Sequence, residues 1–315
     1  MEYTKPTATR EGFGNALVDL ARENPNIVGL SADLEDATRA ELMKFAFPDR
    51  FFNLGIAEQD VVGTAAGLAA MGFIPFAASF AVFLTNRAYD MIRMDVCYNN
   101  LNVKIVCSHT GVTVGEDGAS AQCLEDFAIM RVLPNIRVIC PMDALETEKA
   151  TRAMAGETGP MYMRTSRAPL PILTKKETPF VIGRANVMRE GKDVSIIACG
   201  VMVSEALNAA EELKKEGLEA RVVNMHTIKP LDVDMILKCA RETGAIVTAE
   251  EHQMAGGLGS AVAEVLVRNV VVPVEMVGVK DSFGQTGSPE QLLANYGLKA
   301  ADIVAAGKKV LKRKV

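Results

Sequence analysis

Tryptophan is absent from this chain of 315 residues, and aromatic residues of all kinds make up 5% of it. Strong positive charge is also lacking, because 34 basic and 39 acidic residues give a net charge of −5, with basic clusters only in the C-terminal tail. This balance argues against nucleic acid as a partner. The first residues, MEYTKPTATREGFG, contain no apolar run of the signal-peptide kind. We therefore expect a cytoplasmic protein that binds neither nucleic acid nor membranes.

Closely spaced cysteines are missing too. The six cysteines occur without a CxxC pair, at Cys97, Cys107, Cys123, Cys140, Cys199 and Cys239. Such spacing predicts reduced thiols and no metal site in this chain. The sequence also lacks a P-loop GxxxxGK[ST], a GxGxxG after a strand, HExxH and GxSxG. The common nucleotide, zinc-protease and serine-hydrolase patterns are therefore excluded.

Apolar residues are in slight excess. The chain has roughly two domains' length at about 150 residues each. When the 25 Gly replace the 5 Tyr in the hydrophobic count of 49%, the apolar fraction becomes about 55%, against 45–50% in ordinary soluble domains. This excess is small but needs an explanation.

One uncharged stretch, residues 61–86, is long enough to span a bilayer. Gly72 and Pro75 interrupt it, and the pattern predicts a helix, a turn, a strand and a second helix instead. Small residues fill the first helix, which predicts close approach of another backbone in a packed core or a subunit interface: Gly63, Ala65, Ala66, Gly67, Ala69 and Ala70.

Short β-rich runs alternate with amphipathic helices along the whole chain, as in α/β proteins with mostly parallel sheets. A proline-containing stretch without periodicity at residues 169–182 predicts a linker. The fold class is therefore two consecutive, mostly parallel-sheet α/β domains, at residues 1–168 and, smaller, at 183–315. Polar residues follow several strands of the first domain, and ligands bind at such carboxyl ends.

Glu58 begins the uncharged helix and is the first candidate for chemistry. First-turn acids commonly serve as helix caps, but this helix is too apolar to face solvent, and burial would favour a proton-holding carboxyl group. A second candidate is the loop at residues 109–120, which has three glycines and polar residues at a strand end.

Three arginines near strand or helix ends, Arg10, Arg164 and Arg167, are placed to clamp an anion, although each alone is also typical of a surface charge. The GGLG run at residues 256–259 indicates either an anion contact or close packing. We interpret His226 and His252 as structural, since neither stands in a recognisable partner pattern.

Several of these segments together resemble the pyrimidine-binding domain of transketolases. They are SADL (31–34), GIAEQ (55–59), FLTNRAYD (83–90), GVTVGEDGAS (111–120) and RTSR (164–167). The second half is similar to the transketolase C-terminal domain, through TIKPLD (227–232), GGLGSAVAEVL (256–266) and DSFGQTGSPEQLLANYGL (281–298). The GDG…N motif of full-length transketolases, which binds Mg²⁺ and the cofactor's diphosphate, is missing. The chain therefore resembles the C-terminal subunit of a split transketolase. This resemblance implies that the apolar excess is surface buried between subunits.

The resemblance implies a thiamine diphosphate enzyme that moves a two-carbon ketol unit from a ketose phosphate to an aldose phosphate, as in the pentose phosphate pathway. Glu58 would hydrogen-bond the aminopyrimidine N1′ and so activate the cofactor as an ylide. Phe80 and Phe83 would stack on the aminopyrimidine, and Asp33 would contact the cofactor across a subunit interface. His109 and Asp117 would contact the sugar, and His109 alternatively the cofactor's amino group.

By the same resemblance, Arg10 and Arg167 would anchor the substrate phosphate. A partner, the N-terminal subunit with GDG…N, would supply the diphosphate site with Mg²⁺ or Ca²⁺, in an α2β2 heterotetramer. Two positions depart from the family pattern: Ala121 replaces a histidine common in transketolases, and Ala37 replaces a phosphate-binding serine of some members. Both departures bear on the preferred sugar.

Three alternatives stay open at this point. The first is an enzyme like 1-deoxyxylulose-5-phosphate synthase, which shares GIAEQ but normally has all its domains in one chain. The second is a subunit like the beta subunit of 2-oxo-acid dehydrogenases, which lacks this SADL and GEDGAS combination. The third is a non-catalytic subunit, against which the retention of Glu58, Asp117 and both phosphate-anchoring arginines argues.

Overall fold

The structure is a computed structural model that describes residues 3–314. Its strands are β1 (Thr7–Ala8), β2 (Ile27–Ser31), β3 (Phe51–Asn53), β4 (Ile74–Phe80), β5 (Lys104–Ser108), β6 (Arg137–Ile139), β7 (Met161–Arg164), β8 (Pro169–Leu170), β9 (Asn186–Arg189), β10 (Val194–Ala198), β11 (Ala220–Asn224), β12 (Thr227–Lys229), β13 (Ile246–Gln253) and β14 (Val274–Val279).

The helices alternate with these strands. They are α1 (Thr9–Glu23), α2 (Glu35–Thr38), α3 (Glu41–Ala46), α4 (Glu58–Ala70), α5 (Ala81–Arg87), α6 (Tyr89–Met91), α7 (Asp126–Arg131), α8 (Ala144–Gly156), α9 (Met202–Lys215), α10 (Val233–Thr243), α11 (Leu258–Asn269), α12 (Pro289–Asn295) and α13 (Ala300–Leu311). A π-helical segment at Ile92–Tyr98 continues α6, and short 3-10 helices lie at Pro48–Arg50 and Val112–Asp117.

Two sheets organise the chain. The first has seven strands in the order β12-β6-β7-β5-β4-β2-β3, and the second has five in the order β14-β13-β10-β11-β9. Pairing is parallel within each sheet except at the edge strands β12 and β9. Strands such as β2, β5 and β10 are buried along their whole length, because helices cover both faces. The predicted fold class, two mostly parallel α/β domains, is confirmed.

The uncharged stretch folds as its breaks predict, into α4, a turn at Met71 and Gly72, then β4 and α5. Val61, Val62 and Ala65 of α4 pack into the core. On the outer face of the same helix, a Cβ atom added at Gly63 or Gly67 would meet no atom within 4 Å. Among residues 3–314, no helix is both long enough and apolar enough to cross a membrane.

The two halves of the chain are joined by more than a linker. β12, from the second half, pairs antiparallel with β6 and so completes the edge of the first sheet. β8, at the start of the predicted linker, pairs with β1 near the N-terminus. The Asp143 carboxylate then accepts hydrogen bonds from the backbone of Leu173 and Thr174. Much of the connection therefore packs against the first domain.

All six cysteines are buried free thiols.

Candidate active site

Glu58 lies at the N-terminus of α4, where the strand-to-helix turn delivers it to the carboxyl end of the first sheet. Its side chain is 5% exposed, so the predicted burial is confirmed. One carboxylate oxygen, Oε1, accepts a hydrogen bond from Arg87 Nη1 at 2.8 Å. The buried carboxylate therefore has one oxygen engaged by a cationic partner.

Aromatic and cationic groups form a continuous row that begins at this ion pair. The Arg87 guanidinium lies over the Phe83 ring, with Cζ 4.3 Å from the ring centroid. Phe83 stacks on Phe80 at 5.6 Å between centroids, and Phe80 stacks on the His109 imidazole at 3.6 Å. The structure thus brings together four of the residues predicted for the cofactor and substrate site.

His109 follows β5 in a left-handed backbone conformation, with φ of 59°. Its Nδ1 lies 2.9 Å from Ser108 Oγ. Burial, with smaller contributions from the nearby positive charges of Arg10 and Arg167, lowers the pKa of His109 to about 3. The imidazole is therefore neutral at physiological pH, and its 3.9 Å approach to Asp117 Oδ2 is not an ion pair.

The glycine-rich loop that carries Asp117 is held from the second domain. Glu251 of β13 accepts one hydrogen bond from the Thr113 backbone N–H and another from Thr113 Oγ1, the latter at 3.1 Å. Burial raises the pKa of Glu251 to about 7. Gly111 allows this approach, because its φ is +76° and a Cβ there would lie 2.1 Å from Glu251 Cδ.

A second contact between domains supports the same loop. Gln122 Nε2 donates hydrogen bonds to the carbonyl oxygens of Val112, at 3.2 Å, and Gln285, at 3.0 Å. Gly284 packs so closely on this amide that a Cβ would lie 1.6 Å from Gln122 Oε1. The segment around residue 285 therefore supports the glycine-rich loop through Gln122.

Two of the three predicted arginines lie beside His109, whose pKa both of them affect. Arg10, in the first turn of α1, donates from Nη1 to the Ala37 carbonyl at 2.7 Å. Its buried Nε has no hydrogen-bond partner among the residues that the structure describes. Arg167 Nη1 donates to the Val114 carbonyl at 2.6 Å and to Glu116 Oε2 at 2.9 Å. Burial lowers the pKa of Arg10, and nearby positive charges, including Arg167, add to this.

Arg164, the third arginine, is not available to clamp a ligand. Its guanidinium is 5% exposed, donates to the Glu251 carbonyl at 2.7 Å and lies 3.6 Å from the Asp126 carboxylate. It also packs over the Phe127 ring, with Cζ 4.4 Å from the centroid. The proposed clamp role is therefore wrong, since these contacts consume the guanidinium in a network between the domains.

The GGLG run is closed to external anions. The buried Glu250 carboxylate accepts hydrogen bonds from the backbone N–H groups of Leu258, at 2.6 Å, and Gly259, at 2.8 Å. An internal carboxylate thus takes the place at the start of α11 that an anionic ligand would need, and the packing interpretation is correct. His226 and His252 are fully buried against Phe180 and Phe127, as expected of structural residues.

Asp33 lies apart from the row. It has a positive φ of 58°, and its side chain pairs with Asn53 at 3.4 Å on an acidic surface that also includes Glu35 and Asp36. None of its hydrogen bonds reaches the other predicted site residues in the described part of the chain. Its neighbour Leu34, in contrast, packs against the Phe80 cluster.

The two departures from the family pattern meet in one small apolar cluster. Its buried members are Phe80, Val114 and Ala121, and Leu34, Ala37 and Phe83 pack against them. Both alanines therefore border the aromatic row. Within residues 3–314, no group of three or more His, Cys, Asp or Glu side chains is placed to hold a metal ion.

Comparison with known families agrees with this architecture. Residues 5–172 match the transketolase pyrimidine-binding domain, and residues 183–303 match the transketolase C-terminal domain. Together the two domains define the C-terminal half of a thiamine-diphosphate-dependent enzyme. The chain belongs to the transketolase family.

Relatives of the same length carry the same two domains. The chain is 45% identical over 297 residues to a Methanocaldococcus jannaschii protein described as a transketolase C-terminal section, covering 93% of each chain. It is 42% identical over 305 residues to a 6-deoxy-6-sulfo-D-fructose transketolase subunit of a Clostridium species, covering 97% of this chain and 95% of that one. A solved split-gene transketolase, an inactive β4 tetramer, superposes with a TM-score of 0.92 at 50% identity, covering 98% of this chain and 100% of that one.

Sequence reasoning missed three residues that shape the site: Arg87, Gln122 and Glu251. Arg87 carried a usable signal, because it is the first charged residue after the uncharged stretch and ends the helix that bears Phe83. No such sequence signal marks Gln122 or Glu251, because their importance depends on which groups of the other domain they contact.

Proposed function

We propose that this chain is the C-terminal subunit of a transketolase, which transfers a two-carbon ketol unit from a ketose phosphate to an aldose phosphate. The observation that carries the proposal is the Glu58 carboxylate, buried at one end of an aromatic row whose other end is a neutral imidazole. This arrangement suits an aminopyrimidine with a sugar beside it, because it offers a carboxylate to pair with a ring nitrogen, two aromatic faces and a polar imidazole.

The residues present fit the pyrimidine half of thiamine diphosphate. That cofactor, when bound, supplies the carbon nucleophile that attacks the ketose carbonyl. Glu58 would hold the proton shared with the pyrimidine N1′, using Oε2, for which the described residues offer no hydrogen-bond donor. Phe80 and Phe83 would pack on the ring and keep water from it. In these apolar surroundings, Glu58 would affect the protonation of the cofactor more strongly than an exposed carboxyl group would.

The substrate would lie toward His109, Arg10 and Arg167. A neutral imidazole both donates and accepts a hydrogen bond, so His109 suits a sugar hydroxyl or the cofactor's amino group. Asp117, 38% exposed at its side chain, would accept from another hydroxyl. Arg10 and Arg167 would bind the terminal phosphate, for which guanidinium forks are well shaped. Ala37 and Ala121, in the apolar cluster, would set which sugar fits.

A separate N-terminal subunit with a GDG…N motif would complete the site with the diphosphate pocket and its Mg²⁺ or Ca²⁺. Support comes from the relatives described as a C-terminal section and as a subunit. The uncovered face of α4, at Gly63 and Gly67, offers a surface for assembly. We propose an α2β2 heterotetramer, with Asp33 contacting the cofactor across the interface between subunits.

Two measurements test this function. The chain alone should transfer no ketol units, whereas mixing it with the GDG-bearing subunit, thiamine diphosphate and Mg²⁺ should restore transfer. In that mixture, Glu58→Ala should abolish hydrogen–deuterium exchange at C2 of the bound cofactor. Asp60→Ala is the matched control, because Asp60 is an exposed acid in the same first turn of α4.

The outcomes separate clearly. Full transfer by the isolated chain would disprove the split-subunit proposal. Unchanged C2 exchange in Glu58→Ala would remove the role assigned to Glu58, while loss of exchange in both variants would point to a general disturbance of α4.

A further inference from the structure

Arg87 is held in place from three sides. Its backbone carbonyl, at the end of α5, accepts a hydrogen bond from Gln59 Nε2 at 3.0 Å. Its guanidinium lies on the Phe83 ring and donates to Glu58 at 2.8 Å. Within the described chain, Glu58 is the only carboxylate that forms an ion pair with it. The side chain is thereby fixed although 49% of it is exposed.

The contact engages only one of the two carboxylate oxygens. Nη1 reaches Oε1, and no side chain or backbone group of the described residues hydrogen-bonds Oε2. Rotation of the carboxylate would break the bond to Arg87, and movement of the guanidinium would lose the stacking on Phe83. The pair therefore presents Oε2 in one orientation.

Charge gives a second reason for the arrangement. A buried carboxylate without a partner is costly, and removing the partner of a buried pair leaves that cost uncompensated. Glu58 is buried almost completely, whereas Arg87 keeps part of its hydration. Arg87 thus provides the partner of a buried carboxyl group at a modest desolvation cost of its own.

We propose that Arg87 is a positioning residue for the cofactor's aminopyrimidine, which holds Glu58 Oε1 so that Oε2 faces the ring nitrogen. This inference rests on the proposed function of Glu58 and extends it to a residue that does not itself touch the reacting atoms. Arg87 is then part of the binding site even though it belongs to a different helix.

Titration of the full chain with 4-amino-5-hydroxymethyl-2-methylpyrimidine, the pyrimidine fragment of thiamine, tests the inference. By isothermal calorimetry, Arg87→Met should weaken fragment binding about tenfold, as expected for a lost charge-assisted orientation. Arg87→Lys should regain part of the affinity, because it keeps the charge but not the planar fork. Arg93→Met should leave binding unchanged, since Arg93 is an exposed arginine of the π-helical segment Ile92–Tyr98, 3.9 Å from Asp90.

A double-mutant cycle with Glu58→Gln distinguishes positioning from general structural support. If Arg87 acts through Glu58, the double variant should bind the fragment no more weakly than Glu58→Gln alone. If the affinity losses of the two single variants add in the double variant, the inference is overturned. It is also overturned if Arg87→Met binds the fragment as tightly as the unmodified chain, or more tightly.

The same series separates this inference from the function on which it rests. Full fragment affinity in Glu58→Gln, or no binding by the unmodified chain even with the GDG-bearing subunit present, would refute the proposed cofactor site and the role of Arg87 with it. Weak binding by Glu58→Gln together with full affinity in Arg87→Met would refute only the role of Arg87.

Discussion

The Glu251 carboxyl group and Thr113 join the two domains at the candidate active site. Glu251 belongs to β13 of the second domain, and Thr113 to the glycine-rich loop of the first. The Glu251 backbone carbonyl also accepts a hydrogen bond from Arg164, at 2.7 Å. One residue of the second domain thus fixes both a site loop and the end of β7. The C-terminal domain therefore contributes to site geometry without supplying a residue to the aromatic row.

Stability should depend on pH through Glu251. Burial raises its pKa to about 7, from an ordinary value of 4.5, so between these values the folded chain holds a proton that the unfolded chain releases. The stability that this bound proton gives the folded chain is fully present below pH 4.5 and is lost as pH rises toward 7. In that window, one such group changes the free energy of unfolding by about 1.4 kcal/mol per pH unit.

Urea denaturation of the Glu251→Gln variant from pH 5 to 8 measures this contribution. The variant should gain stability relative to the unmodified chain as pH rises, because glutamine does not ionise. The comparison is a difference, so the other buried acids with raised pKa values, Glu146 and Glu250, affect both proteins alike. Glu212→Gln, at an exposed position, is the control. Parallel curves for Glu251→Gln and the unmodified chain would contradict the assignment.

Gly111→Ala should disrupt the loop that bears Asp117. An alanine would have to adopt a φ of +76° and place Cβ 2.1 Å from Glu251 Cδ. We expect a loss of about 1–3 kcal/mol in the free energy of unfolding, with loss of transfer activity in the assembled enzyme. Gly156→Ala, at the end of α8 with no atom within 4 Å of the new Cβ, should change stability little. Equal effects of the two substitutions would mean that the loop relaxes freely.

Local patterns were sufficient for most of the fold. Gly72 and Pro75 divide the uncharged stretch correctly, because turn formation there depends on residues close in sequence. The return of β12 to the edge of the first sheet was not predicted, since a strand of three residues carries no signal for a partner about 90 positions away. Which edge a short strand pairs with is decided by tertiary packing.

The site was predictable only in part, for a similar reason. Glu58 and Phe83 lie in motifs that the family resemblance identified, and Phe80 and His109 lie within three residues of such motifs. Whether Arg164 can bind a ligand depends instead on its contacts with the Glu251 carbonyl and Asp126. Whether the GGLG run can bind an anion depends on its hydrogen bonds to Glu250. Sequence spacing does not show which buried group already pairs with a donor, so it left an anion contact open both for Arg164 and for residues 256–259.

Assembly should depend on the outer face of α4. A Cβ at Gly67 would meet no atom within 4 Å, and Ile56 and Met71 at the ends of this helix are 75% and 79% exposed. Gly67→Leu should therefore leave the fold of the chain intact but weaken its association with the partner subunit or with other copies. Sedimentation velocity, with and without the partner, measures this effect.

Ala305→Leu, an exposed position of α13, adds bulk on a different surface and is the control. Association by Gly67→Leu that matches that of the unmodified chain would show that this face of α4 stays in solvent. A lowered thermal midpoint in Gly67→Leu alone would show instead that the substitution disturbs the helix itself.

Arg10 and Arg167 should both contribute to the low pKa of His109. Their positive charges add to burial in lowering its pKa to about 3. Arg10→Met and Arg167→Met should each raise this pKa, because a protonated imidazole is then repelled less. Burial, the larger cause, is unchanged, so the value should stay below 6.5. NMR titration is practical, since the chain contains 3 histidines.

The same two substitutions should also lower kcat/KM for a ketose phosphate by about tenfold or more in the assembled enzyme, because each removes a charge-assisted contact to phosphate. The corresponding unphosphorylated ketose should lose much less. Arg22→Met, at the exposed end of α1, should change neither the His109 titration nor the kinetics. A raised His109 pKa with unchanged preference for the phosphorylated ketose would place both arginines near the imidazole but outside the phosphate site.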